Sequence, residues 1–212
     1  MNTIIELAFK LKGSVIPADH GYQLFSALTK EMGEIHNKSE IAVHNISGDP
    51  TDNRLIKLND GSRLAFRLNS ENIERLLPLA GRYLTLGNYE VQVGTPQTFN
   101  LRPASRLYSR LVVIKGYMDP DEFLKAAGRQ LYALGVKGKP YLITLNGVED
   151  NKEGSGTRSP YLRRTIRISG KKVVGFALGV GELTAEESIM LQEKGTGGRR
   201  HFGCGIFIPD RR

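Results

Sequence analysis

The sequence predicts an α+β fold made of two tandem ferredoxin-like units, each running strand, helix, strand, strand, helix, strand. Three observations predict it. Residues 1–95 alternate between the two-residue hydrophobic period of strands and the 3.6-residue period of helices in that order. Residues 94–103, which carry Pro96 and Pro103, read as a link. The same order of elements then restarts and fills 104–212, with no residue-level similarity between the halves.

In the first unit, Asn2–Lys10 reads as a strand, and Gly13, Pro17 and Asp19 punctuate a short loop. Leu24, Phe25, Leu28 and Met32 recur at helical spacing, so a helix is expected from about Tyr22 to Met32, with Gly33 as its stop. Glu40–Ile46 reads as a second strand, ended by Ser47-Gly48-Asp49-Pro50, and Arg63–Leu68 as a third with clear alternation. Ser70 is placed to cap a short helix holding Ile73, Leu76 and Leu77. Tyr83–Leu86 and Tyr89–Val93 close the unit as strands around Gly87-Asn88.

In the second unit, Arg106–Ile114 reads as a strand. Asp119-Pro120-Asp121-Glu122 is a helix start with an Asp cap, a proline in the first turn and acids at the positive end of the dipole. That helix carries Phe123, Leu124, Ala127, Leu131 and Leu134 and stops at Gly135. A short strand is expected at 142–145 and a polar loop from Asn146 to Pro160. Arg163–Ile168 and Lys172–Leu178 form a hairpin across Ser169-Gly170-Lys171. Thr184-Ala185-Glu186-Glu187 is a capping box opening a last helix to about Lys194, and Ile206-Phe207-Ile208 is the final strand.

The 212 residues, 40% hydrophobic, suffice for a core in each unit. No apolar run approaches the roughly 20 residues a bilayer span needs. The first residues lack the basic-then-apolar pattern of a signal peptide. A soluble, cytoplasmic protein is expected. The single cysteine, Cys204, rules out an internal disulfide and a multi-cysteine zinc site. The net charge of +8 is unevenly placed: residues 1–101 hold 10 Lys/Arg and 11 Asp/Glu, residues 102–212 hold 20 and 11. A basic second half points to a polyanion partner rather than to a neutral small molecule or a membrane surface.

Between the last helix and the last strand lies Gly195-Thr196-Gly197-Gly198-Arg199-Arg200-His201-Phe202-Gly203-Cys204-Gly205. Turn-forming N–H groups can make a concave anion site, and paired arginines present planar forks to phosphate. Phosphate or polyanion contact is therefore expected at Gly195, Gly197, Gly198, Arg199, Arg200, His201, Phe202, Gly203 and Gly205. Lys152, Arg158, Arg163, Arg164, Arg167, Lys171 and Lys172 lie within 21 residues against one acid, Glu153. Alternation places Arg163, Thr165 and Arg167 on one face of their strand, where they could track phosphates. Tyr161 and Phe202 could stack on unpaired bases.

These features occur together in one family. The chain resembles the CRISPR-associated endoribonucleases of the RAMP superfamily, which cut the precursor transcript within each repeat. Their loop reads Gly-x-Gly, five residues including a basic one, then Gly-x-Gly, and residues 195–205 fit without adjustment. Pro17-Ala18-Asp19-His20-Gly21-Tyr22, running into Leu24 and Ala27-Leu28, looks like the form of the Myxan-type subgroup. The resemblance covers essentially the whole chain. It implies metal-independent, cofactor-free cleavage of precursor CRISPR RNA, leaving a 2′,3′-cyclic phosphate and a 5′-hydroxyl. It also implies a repeat stem-loop with single-stranded flanks as partner, and leaves open a homodimer and other Cas proteins. The alternative is a non-catalytic RAMP subunit holding guide RNA in an interference complex, since such subunits share the loop.

Such chemistry needs a general base, a general acid and positive charge for the transition state. His20, at the start of the first helix beside Gly21, is the first catalytic candidate, because a helix N-terminus favours the neutral imidazole. His44 is the second, since alternation with Ile41 and Val43 turns it to the open face. Tyr22 could orient or polarise a hydroxyl. His36 reads as solvated surface, and His201 as an RNA contact. A metallonuclease is disfavoured by the lack of a clustered Asp/Glu/His pattern.

Overall fold

The computed structural model describes residues 3–33, 41–144 and 160–210. His36, Lys152, Arg158, the start of the expected second strand and nearly all of the 146–160 loop lie outside these residues. The chain divides into two compact units. The first comprises residues 1–101, 167–170 and 200–203, and the second comprises residues 102–166, 171–199 and 204–212.

In the first unit β1 (Ile4–Lys12) places Leu7, Phe9 and Leu11 in the core and leaves Glu6 half-buried on its other face. β2 (Val15–Pro17) follows, then α1 (Gly21–Met32), whose buried stripe is Leu24, Phe25 and Leu28. β3 is only Ala42–Val43, although the His44 N–H extends the ladder by bonding to the Ala65 carbonyl. β4 (Asp49–Pro50) and β5 (Leu55–Lys57) join β2 in a small three-stranded sheet where only loop was expected. β6 (Arg63–Asn69) leads into a 3-10 turn at Ser70–Asn72, whose cap is Asn69 rather than Ser70, its side chain accepting from the Glu71 N–H. α2 (Ile73–Leu76), a further 3-10 turn and β7 (Tyr83–Leu86) precede β8 (Tyr89–Asn100). β8 runs through the expected link as far as Asn100, because it continues to pair with β1 from Pro96 to Asn100.

The main sheet has the order β3-β6-β1-β8-β7. α1 connects β1 to β3 across the intervening β6, the split βαβ arrangement. Leu24 and Leu28 pack with Leu7, Phe9, Leu64, Phe66, Leu84 and Val91 on one face of this sheet.

In the second unit β9 (Leu107–Val112) is followed by α3 (Pro120–Ala133). Asp119 caps α3 by accepting from the Asp121 and Glu122 N–H groups, as the spacing predicts. β10 (Lys139–Leu142) comes three residues earlier than expected. β11 (Arg163–Ile168) and β12 (Lys171–Gly181) form the hairpin across Ser169-Gly170. Both turn residues have positive φ, 48° and 77°, as a two-residue type I′ turn requires. The Thr184–Glu187 capping box opens α4 (Ala185–Lys194), and β13 (Ile208–Pro209) pairs with β9. The order β10-β12-β9-β13, with β11 beside β12, repeats the split βαβ plan. Phe123 and Phe176, with ring centres 4.9 Å apart, anchor its core beside Leu131, Leu178, Leu191 and Phe207.

Candidate functional site

The glycine-rich loop is distributed over both compact units, and each part is built differently. In the second unit the loop closes on its own scaffold. Gly195 N–H bonds to Leu191 O, Gly197 N–H to Gln130 Oε1 at 2.7 Å, Gly198 N–H to Val113 O, Cys204 N–H to Arg199 O and Gly205 N–H to Leu111 O. In the first unit Gly203 N–H bonds to Arg200 O. These six donors serve oxygens of the protein itself. At Gly197 the requirement is steric: φ is 71°, and a Cβ would sit 2.6 Å from the Val113 carbonyl oxygen.

What the loop does present is side-chain charge. Lys115, Lys172 and Arg199 line a pocket of about 410 Å³ in the second unit, with Met118, Gln130 and the backbone of Gly197 and Gly198. No carboxylate is among the described lining residues. Arg199 holds a left-handed φ of 69°, uncommon for a residue with a Cβ. On β11, Arg163, Thr165 and Arg167 are exposed while Arg164 and Ile166 are half-buried and Ile168 is buried, so the alternation read from the sequence holds. Lys171 and Lys172 are also exposed.

The remaining part of the loop, Arg200–Gly203, belongs to the first unit and forms a 3-10 turn at Arg200–Phe202. Tyr22 stacks on Phe202, with centres 6.2 Å apart and planes 28° from parallel, and Phe25 meets Phe202 edge-on at 4.9 Å. His201 packs against Phe25 and its Nδ1 lies 3.1 Å from the Ile41 carbonyl. Asn45 Nδ2–H donates to Gly203 O at 3.0 Å. Gly21 allows this approach, since a Cβ there would lie 2.8 Å from the Phe202 carbonyl oxygen. The turn at residues 167–170 meets the same helix start: Ser169 Oγ–H donates to Tyr22 Oη at 3.2 Å, and Arg167 N–H donates to Asp19 Oδ2. Tyr22 remains 37% exposed.

His20 has no such freedom. It is 0% exposed. Its Nδ1 lies 2.9 Å from Pro17 O, and its Nε2 accepts the Ile46 N–H at 2.9 Å. With Nε2 accepting, Nδ1 is the protonated nitrogen and donates. The neutral ring thus ties the helix start to the segment after β3, and a proton exchange with substrate would require these bonds to open. His44 lies on the sheet face that carries Glu6, opposite the core. There Arg67, 1% exposed, pairs with Glu6 across the β1–β6 ladder, and His44 Nε2 lies 3.3 Å from Glu6 Oε1. Burial, and then the Arg67 charge, press the His44 pKa down to about 4, against the pull of Glu6. His44 is therefore neutral at pH 7 and can accept a proton but not donate one as an acid. Burial raises the Glu6 pKa, but His44 and Arg67 outweigh it and the net shift is downward. Burial and then Arg67 lower Arg200 to about 10, which still leaves it charged at pH 7.

Tyr22 thus stacks on Phe202, His201 and Phe202 both pack on Phe25, Asn45 holds Gly203, and the Arg200 charge acts on His44. The sequence reading missed Lys115 and Met118 in the second unit and Ser169 beside Tyr22. A lysine just after a strand, Lys115-Gly116, was the available signal for the first of these. The Ser169–Tyr22 bond spans 147 positions and left none.

Two antiparallel units of split βαβ plan, with a glycine-rich loop before the final strand, define the double ferredoxin-like class. A family model described as Cas6, Cas6 Crispr, matches residues 5–212. A protein described as CRISPR-associated endonuclease Cas6, from Myxococcus xanthus (strain DK1622), is 38% identical over 208 residues, covering 98% of this chain and 82% of that protein. The chain belongs to the Cas6 family. Among solved structures, a CRISPR associated protein Cas6 aligns with TM-score 0.66 and 12% identity over 98% of this chain and all of that one. A Cas6-related protein from Pyrococcus furiosus aligns with TM-score 0.65 and 14% identity, covering 98% and 99% of the two chains. At these identities the likeness shows the shared fold. Among the described residues, no helix is long and apolar enough to cross a membrane.

Proposed function

We propose that this chain is an endoribonuclease that cuts precursor CRISPR RNA within its repeats. Membership of the Cas6 family, with a 38% identical relative described as an endonuclease, supports the activity. The observation that carries RNA as the substrate is the pocket in which Lys115, Lys172 and Arg199 converge beside the glycine-rich loop. Lysine and arginine on phosphate supply most of the affinity of such complexes.

The chemistry proposed is attack of the substrate 2′-hydroxyl on the adjacent phosphorus. The 2′-oxygen–phosphorus bond forms as the bond to the 5′-oxygen breaks. The 2′-hydroxyl proton passes to a base, a proton reaches the departing 5′-oxygen, and a 2′,3′-cyclic phosphate remains. Tyr22 is the exposed group suited to face the substrate, its oxygen already accepting a hydrogen bond from Ser169 and its own proton free to be donated. His44, neutral at pH 7, suits proton acceptance, and Arg200 supplies positive charge. His20 contributes by holding the helix start that presents Tyr22.

The test is to incubate the protein with the transcript of its neighbouring CRISPR array in the presence of chelator, map the product ends, and repeat with alanine at His20, His36, His44 and His201 singly. Cyclic phosphate ends formed in chelator, and a histidine variant that binds but does not cut, are expected. Tight binding without cleavage by the wild-type protein would place the chain with the guide-holding subunits instead. The fully engaged ring of His20 is the observation that favours that second reading.

A further inference from the structure

The first unit holds a groove of which only Tyr22 has a role so far described. The exposed side of α1 forms one wall, with Tyr22, Gln23, Ser26 and Lys30, and β7 forms the other, with Tyr83 and Thr85. Its volume, about 300 Å³, falls in the range of small-ligand pockets. β7 is the edge strand of its sheet. Its alternation buries Leu84 and Leu86 and turns Tyr83 and Thr85 outward. Tyr83 is 55% exposed, an aromatic ring left open at the rim. Lys30 is exposed on the same face, and Glu31 adds one acid.

We infer that this groove takes an unpaired nucleotide of the substrate RNA, with its base stacked on Tyr83 and a phosphate reached by Lys30. The inference rests on the function proposed above and adds a binding site in the first unit to the basic surface of the second. Continuity selects the occupant. Tyr22 belongs both to the groove wall and to the cluster around Phe202, so the groove adjoins the group proposed above to face the scissile phosphate. The groove is the space that adjoins Tyr22 on this unit, open to a nucleotide next to that phosphate. Its lining is close to neutral, with one lysine and one glutamate, which suits a base better than a run of phosphates. Stacking on a tyrosine is tolerant of sequence, because every base has a flat face.

The test uses the whole protein and two RNA probes: the repeat hairpin with its single-stranded flanks, and the same stem trimmed flush. Binding is measured for wild type, Tyr83→Ala, Tyr83→Phe and Lys30→Ala. Tyr83→Ala should weaken binding of the flanked hairpin by about 5- to 100-fold. Tyr83→Phe should restore it, and the trimmed stem should bind all forms alike. Lys30→Ala should flatten the salt dependence for the flanked probe alone, by about 0.7 in log–log slope. Equal binding of the flanked hairpin by wild type and Tyr83→Ala would overturn the inference while leaving the RNA-cutting role intact. An equal loss on both probes would also overturn it. A wild-type protein that binds neither probe would overturn the function itself, and the inference with it.

Discussion

Removing a single oxygen from Tyr22 separates chemistry from binding more cleanly than removing a whole side chain. Tyr22→Phe keeps the stack on Phe202 and loses only the hydroxyl that meets Ser169. Cleavage of repeat RNA should fall by about 100-fold with affinity unchanged, which single-turnover kinetics and filter binding would read separately. His20→Ala has a different signature. It removes two hydrogen bonds, one of them buried, and leaves the Ile46 N–H without its acceptor, a loss of about 2–3 kcal/mol. The expected readout is a lower melting temperature, with any loss of activity following from it. His44 predicts an acid-side effect. Its folded pKa, about 4, lies below the ordinary 6.5, so the unfolded chain binds its proton more readily. The stability this ring contributes is complete above pH 6.5 and is lost as the pH falls towards 4. The lowered carboxyl of Glu6 acts in the same sense, losing its contribution as the pH falls through its folded value. Melting temperature followed from pH 7 to 4 should fall less steeply for His44→Gln than for wild type. Equal slopes would refute the assignment.

At the scale of elements, Arg199 at the end of the second unit's part of the loop, Lys115 after β9 and Lys172 at the start of β12 line one pocket with side-chain charge. Lys115→Ala, Lys172→Ala and Arg199→Ala should each flatten the dependence of log affinity on log salt by about 0.7–0.9, with little effect on melting. Gly197→Ala should do the opposite: it strains a backbone at φ 71° against the Val113 carbonyl, costing about 1–3 kcal/mol, and it leaves the charges in place. Local signals made several elements legible. Asp119-Pro120 and the Thr184–Glu187 capping box place both helix starts of the second unit, because caps are satisfied by neighbours in sequence. The sheet of β2, β4 and β5 was not legible, since two or three residues show no alternation and Pro17 and Pro50 read as turns. β8 was cut short for a related reason. Its residues from Thr95 onward are largely exposed and polar, and only pairing with β1 makes them a strand.

For the whole molecule, strand order and family agree, and the charge asymmetry between the halves finds a counterpart in the pocket of the second unit. The candidate site was legible only in part. Residue type and position in the chain picked out Tyr22, His44 and the arginines of the loop. They could not show that His20 is enclosed, because its partner Ile46 lies 26 residues on and arrives only when β3 joins the sheet. Nor could they show that Arg200–Gly203 pack with the first unit, because contacts from Asn45 and Phe25 decide it.

The inward direction of the six loop N–H groups has a thermodynamic consequence. A loop held by its own protein is already ordered before RNA arrives, so its conformational entropy is lost on folding and not on association. Binding at this loop should then resemble docking onto a rigid template. The heat-capacity change on association should follow the apolar surface buried, without the excess that marks folding coupled to binding.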